Sequence, residues 1–423
     1  MAHFVRYGAI LLAILSLQIP CFAAPNTAPA KITINSDHVL LIDGRKVFPI
    51  GFTLPPAPDA KAPNGKNGIE ELRSAGALFF RTGPSREQGW DEKWIERETA
   101  FQDAAAKYGM YCLPWLKELS AVGPNQSEKE QKLRRIVRMF RNHPGMGCWK
   151  GEDEPQWGNN PIPPLENAYR IIKEEDPNHP VWIVQAPRGT VQELKPYNVS
   201  YDIGGVDIYP ISYPPGIHSE LPNKEMSMVG DYTRKMMDVV EGKKPVWLTL
   251  QIAWSGVAKP GKTLRFPTFP QQRFMTYEAI INGARGLIYF GGNLEVTLSQ
   301  QDKPLGWNWT FWNSVLRPVL EEIGDGGPLS EALVAPDSKL QVKSTGEGIE
   351  VCVREVGKDV YVLACKRSGR TEEIEFTGLP AHAVYGKVMF ESPRQVTATA
   401  GQFKDWFAPF EVHVYKFSRS EAR

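Results

Sequence analysis

Eight short β-rich runs, each ending in glycine, proline or polar residues, recur through the first three quarters of the chain, at 47–53, 77–82, 110–115, 145–154, 180–186, 203–209, 245–252 and 286–291. Between several of them lie segments with helical periodicity, at 68–73, 96–107, 128–141, 165–175 and 271–282. Strand and helix alternating every ~25–40 residues build βα units and a parallel sheet, and eight units over about 280 residues match a (β/α)8 TIM barrel. A doubly wound open sheet is the competing arrangement. No Gly-x-Gly-x-x-Gly follows an early run, which leaves the barrel.

The texture changes after Asp325-Gly326-Gly327-Pro328: from 338 to 417 only short β-runs occur, as expected of a small antiparallel β-sandwich. Its expected role is to cover the barrel, with sugar binding as the sharper alternative. At the other end, Arg6, an apolar stretch at 9–15 and a small-residue exit at Cys21-Phe22-Ala23 read as a secretory signal peptide cleaved near Ala23. The expected organisation is a signal peptide at 1–23, a barrel at 24–330 and a sandwich at 335–420, exported to the periplasm or the exterior, with no membrane span.

The 49 Lys and Arg face 48 Asp and Glu, and the first 23 residues carry one basic and no acidic side chain, so the mature chain is neutral. No basic field exists for nucleic acid. Cysteines show no C-x-x-C spacing and there are seven histidines, so a metal site is not expected, and no cofactor is required. Cys352 and Cys365 flank a turn at 357–359; a Lys358-Asp359 loop sets them opposite each other, either as a disulfide or as two buried small side chains. Oligomeric state is not legible.

A barrel gathers its chemistry at the carboxyl ends of its strands. The fourth run ends in Glu152-Asp153-Glu154-Pro155, three adjacent acids before a proline. Clustered carboxylates push their pKa values apart, which makes a proton donor and an ionised partner. Period-two alternation places Cys148, Lys150, Glu152 and Glu154 on one face, pairs Asp207 with Tyr209 and Thr249 with Gln251, and turns Trp149 toward the helices. Capping of the next helix is the structural alternative for Asp153 or Glu154, and a buried ion pair with Arg81 or Lys150 is that for Asp207. Around the same mouth stand Arg81, Trp115, Tyr289 and Asn293, with Trp157, Trp254, Trp307 and Trp309 in the following loops. Polar groups beside indole faces suit a carbohydrate, whose hydroxyls need hydrogen bonds and whose ring has an apolar face. Glu295, after the eighth run, and Asp207 are the candidate second carboxylates to Glu154, and a water-activating pair needs a gap of roughly 6.5–9.5 Å.

These run ends resemble those of the clan A glycoside hydrolases, whose barrels carry an arginine on strand two, Asn-Glu-Pro on strand four, a tyrosine or histidine on strand six and a nucleophilic glutamate on strand seven. The resemblance implies Arg81 near the nucleophile position, Glu154 as general acid/base and Tyr209 as a site hydroxyl. Two departures stand out: Asp153 replaces the asparagine, and Gln251 replaces the nucleophilic glutamate. An amide cannot form the covalent glycosyl ester. The chain is therefore expected to be either a glycoside hydrolase with another second carboxylate or a substrate-supplied nucleophile, or a non-catalytic carbohydrate-binding barrel.

Overall fold

The computed structural model describes residues 24–84, 89–253, 261 and 265–418. The signal peptide expectation falls outside these residues.

Eight parallel strands form the barrel: β4 (Ile50–Phe52), β5 (Phe79–Thr82), β6 (Tyr111–Pro114), β7 (Trp149–Asp153), β8 (Val181–Val184), β9 (Gly204–Asp207), β10 (Val246–Gln251) and β11 (Gly286–Phe290). Six pair in the order β6-β5-β4-β11-β10-β9, and β7 pairs with β8. Parallel bridges Cys112↔Met146, Trp115↔Lys150, Trp182↔Ile203 and Gln185↔Val206 join the two groups and close the ring. Closure removes the sheet edges, and the inward side chains fill the lumen. Phe79, Trp182 and Trp247 fill much of it, with ring centroids 6.0 Å apart in the pairs Phe79–Trp247 and Trp182–Trp247.

The run at 47–53 splits in two. Arg45–Val47 (β3) belongs to an antiparallel sheet with β1 (Ile32–Ile34) and β2 (Leu40–Ile42), and the barrel strand begins only after Pro49, which has no N–H to donate. Ile32, Leu40, Ile42 and Val47 pack with Phe79, Trp182 and Trp247, so this small sheet plugs the amino end of the barrel. The strands' carboxyl ends, where Asp207 and Gln251 stand, lie at the opposite end.

The anticipated helices form as α1 (Gly68–Ser74), α2 (Glu92–Lys107), α3 (Ser127–Phe140), α4 (Ile162–Glu175) and, after the four-residue α5 (Val191–Leu194), α7 (Phe269–Ile281). The sequence reading missed α6 (Met228–Val239), which buries Val229, Tyr232, Met236 and Val239 on one stripe. Trp149 faces this helical layer, among Leu133, Ile136, Val137 and Ile171, and its indole donates to Asp176 at 2.8 Å.

Beyond the barrel, a five-stranded antiparallel sheet, β13-β14-β19-β16-β17, faces a three-stranded one, β12-β15-β18, over a core that includes Val362, Phe376, Phe403, Tyr415 and Phe417. These strands span β12 (Lys343–Ser344), β13 (Ile349–Val356), β14 (Asp359–Lys366), β15 (Glu372–Thr377), β16 (Tyr385–Met389), β17 (Gln395–Thr397), β18 (Gln402–Phe407) and β19 (Val412–Phe417). The β13–β14 loop is Gly357-Lys358, with Gly357 at φ +59°, and not Lys358-Asp359. Glycine takes the left-handed position that a tight hairpin requires. The register places Cys352 opposite Leu363 and Cys365 opposite Glu350; both thiols are free and buried, which corrects the face-to-face placement.

Candidate functional site

Strand β7 does not keep a simple alternation to its end. Its pairing with β8 shifts between Lys150 and Asp153, so Asp153 turns inward and meets the buried Lys150 ammonium at 3.0 Å. Glu152 lies against Leu165, Tyr169 and Ile172 of α4, which corrects its placement on the mouth face. A bulge re-aims the side chains that follow it. Glu154 then adopts φ +50°, a left-handed conformation uncommon for a residue with a side chain, and its N–H donates to Val184 O at 2.7 Å.

The result is a cluster at the open mouth. One side-chain atom each of Glu154, Asp207 and His218 lies within 4.8 Å of the others. His218 Nε2 is 3.9 Å from Asp207 Oδ2, and its ring stacks on Tyr209 with centroids 4.7 Å apart. Phe290 also stacks on Tyr209, with centroids 5.3 Å apart. Burial, then the negative charges of Glu154 and Asp153, hold the Asp207 carboxyl well above the usual carboxylate range, against the opposing pull of the Tyr209 hydroxyl. Burial likewise pushes the Tyr209 phenol up, with Asp207 adding to it. Lys150 is a countercharge to Asp153; burial lowers its ammonium pKa and Asp153 opposes that shift.

Arg81 and Trp115 form a second wall. The Arg81 guanidinium sits 5.0 Å from the centre of the Trp115 ring, which is itself buried. Trp115 Nε1 has no hydrogen-bond partner among the described residues, and the same holds for Asp207 Oδ1 and the Thr249 hydroxyl. Three buried polar atoms of this kind near one mouth are atoms a bound hydroxyl can satisfy.

Gln251 stands at the end of β10, fully buried. Its Oε1 accepts from Ile211 N–H and its Nε2 donates to Ile211 O, both at 2.8 Å. Both ends of the amide are thus committed to the backbone of the loop after β9. A carboxylate could accept from that N–H but could not donate to that carbonyl.

The other expected site residues lie as follows. Tyr289 points to the helical layer, where its hydroxyl meets Thr276 on α7 at 3.0 Å; Phe290 takes the mouth. Trp307 and Trp309 are fully buried rather than sugar platforms: Trp307 packs on Phe52 and Trp309, and donates its Nε1 to Leu54 O at 3.0 Å. Their loop lies over the barrel's outer aromatic layer, where indole surface has more to bury than a polar sequence suggested. Glu295 is exposed on a short 3-10 turn (Glu295–Thr297), and Asn293, also exposed, reaches Pro55 O at 3.4 Å. Trp254 lies outside the described residues. His218 and Phe290 are the residues that sequence reasoning passed over. The histidine had one signal, its place in the loop after the strand that carries Asp207, and Phe290 could be found from the phase of Ile288, which joins the lumen core.

No protein-family model matches the chain, and no curated protein matches its sequence. Solved structures do. A protein described as a glycoside hydrolase superimposes with a TM-score of 0.59 at 13% identity, over 93% of this chain and 98% of the other. The fold is that of the glycoside hydrolase barrels. A glycoside hydrolase family 5 protein from Bacteroides vulgatus gives 0.61 at 13% identity over 92% and 93% of the two chains, and an Anoxybacillus α-amylase gives 0.55 at 10% over 89% and 99%. The likeness spans barrel and C-terminal β-region together.

Proposed function

We propose that this chain is an exported glycoside hydrolase in which Glu154 and Asp207 act as a carboxylate pair. The observation that carries the reading is their juxtaposition with His218, within 4.8 Å, at the carboxyl end of the strands of a glycoside hydrolase-like barrel. Their nearest side-chain oxygens lie within 4.8 Å, and the reading takes the two carboxyls as a pair that shares a proton. Two carboxylates this close do not both ionise easily, so the pair keeps one proton, with buried Asp207 as its resting holder.

In this mechanism the proton passes from Asp207 to Glu154, the more exposed member, which faces the glycosidic oxygen and delivers the proton to it as the bond to the anomeric carbon breaks. The pair gains negative charge as positive charge develops on the sugar ring, which stabilises that transition state. Water then bonds to the anomeric carbon and returns a proton to the pair. Tyr209 and Arg81 orient hydroxyls, and Asp153, held by Lys150, keeps the local charge fixed. No residue of β10 takes part as a nucleophile.

One observation favours a second reading, a barrel that binds sugar without cleaving it: Gln251 is locked to Ile211 where a nucleophile would stand. A screen of plant and microbial polysaccharides for new reducing ends, with wild type, Glu154→Gln and Asp207→Asn, separates the two. Hydrolysis predicts product from wild type alone. Glycan binding without product from any of the three supports the binding barrel and rejects the mechanism.

A further inference from the structure

Nine of the eleven described tryptophans are buried, at 8% exposure or less; Trp157 and Trp406 are the other two, at 57% and 60%. Trp157 follows Glu154 by three residues, and Gly158 N–H closes a turn onto Glu154 O at 2.9 Å. Its backbone is thus displaced by about one helical turn, ~5 Å, from the proposed acid. An exposed indole costs apolar surface in water unless something covers it.

The surroundings are built rather than incidental. Arg188, on the loop after β8, places its guanidinium 5.8 Å from the centre of the Trp157 ring. Glu220 fixes that arginine, accepting from Arg188 Nη1 at 3.0 Å and from Gly189 N–H at 3.2 Å. The Trp157 turn is tied down in turn: Gln156 N–H donates to Gln185 at the end of β8 at 3.3 Å. Gly189, at φ +72°, lets the two loops approach, since a Cβ there would meet the Gln156 side chain at 2.9 Å. Other large apolar side chains lie exposed on loops that follow barrel strands at the same end: Tyr213 and Ile217 after β9, and Val296 after β11.

We infer that Trp157, held by Arg188 and Glu220, is a distal subsite that stacks on a sugar ring beyond the bond being cleaved, so that the substrate is a glycan chain and not a short glycoside. The inference rests on the proposed carbohydrate site and names the length of its ligand. Stacking on an indole face and hydrogen bonding to a fixed guanidinium are both available there to a neutral pyranose, because Glu220 already balances the arginine charge.

The test is the chain-length dependence of kcat/KM on one series of oligosaccharides, from the shortest cleaved member to the polymer. Wild type is expected to prefer long chains. Trp157→Ala is expected to shrink the long-to-short ratio about tenfold, and Trp157→Phe to restore most of it. A ratio in Trp157→Ala within twofold of wild type overturns the inference. If wild type cleaves no glycan, the hydrolase reading fails by itself, and affinity electrophoresis in the polymer still reads the subsite: retardation lost in Trp157→Ala supports it, and equal retardation or none in wild type rejects it.

Discussion

At the scale of single residues, Asp207 and Gln251 carry opposite lessons. Asp207 is a carboxyl whose surroundings keep its proton: burial and two neighbouring acids raise its pKa. Its contribution to stability is full below the ordinary carboxylate range and is lost as pH rises through the raised value. Catalysis that draws on the same proton is expected to fall on the alkaline side, and Asp207→Asn to lower kcat by about 10²–10⁴-fold and to displace that alkaline limb, measured by pH–rate profiles. Gln251 looks in sequence like a damaged nucleophile; in the folded chain it is a clasp on Ile211. Gln251→Glu is expected to gain no activity and to lose about 2–4 kcal/mol, because a buried carboxylate would face a carbonyl it cannot donate to. Equal denaturation midpoints for the two proteins would deny the clasp its role.

At the scale of elements, the site is made by how strands end. The register shift in β7 and the left-handed Glu154 bring two adjacent acids inward where alternation allows one. The next support is Glu98 on α2, which accepts from the Thr82 hydroxyl at 2.9 Å, from Gly83 N–H at 3.1 Å and from Gln102 at 2.9 Å, and so steadies the end of β5 beside Arg81. Burial raises the Glu98 pKa to about 7. Since this lies above the unfolded value of about 4.3, the stability it supplies is complete at low pH and disappears as pH climbs through about 7. Glu98→Gln is therefore expected to melt progressively higher relative to wild type between about pH 5 and pH 8; a difference that stays flat with pH would contradict the assignment. The βα rhythm made the strands and most helices legible, because hydrophobic spacing is local. What was not legible depends on partners: the β7 register on β8, the phase of Tyr289 and Phe290 on α7 and the lumen, and the burial of Trp307 and Trp309 on Phe52. The Gly357 turn was within reach, since glycine was there to mark the left-handed position.

At the scale of the whole molecule, the β-sandwich is joined to the barrel by charges as well as by apolar contact. Arg234 of α6 meets Glu350 of β13 at 2.6 Å, and Arg367, just after β14, meets Asp231 at 2.6 Å and Glu350 at 3.2 Å. Cys365 donates to the buried Glu278 of α7 at 3.0 Å, and burial raises that carboxyl to about 8. The arginines offset a crowd of acids, so Arg367→Ala is expected to destabilise the protein by about 1–3 kcal/mol in chemical denaturation, more than loss of an exposed pair would; a change below about 0.5 kcal/mol would make the seam apolar in substance. With its amino end plugged by β1–β3, the barrel offers ligand its carboxyl end, where Glu154 and Asp207 meet. The most direct measurement of that centre is single-turnover product release from a glycan that wild type cleaves, run with Glu154→Gln at saturating enzyme. The account predicts retained glycan binding with release slowed at least about 100-fold; release at the wild-type rate would contradict it.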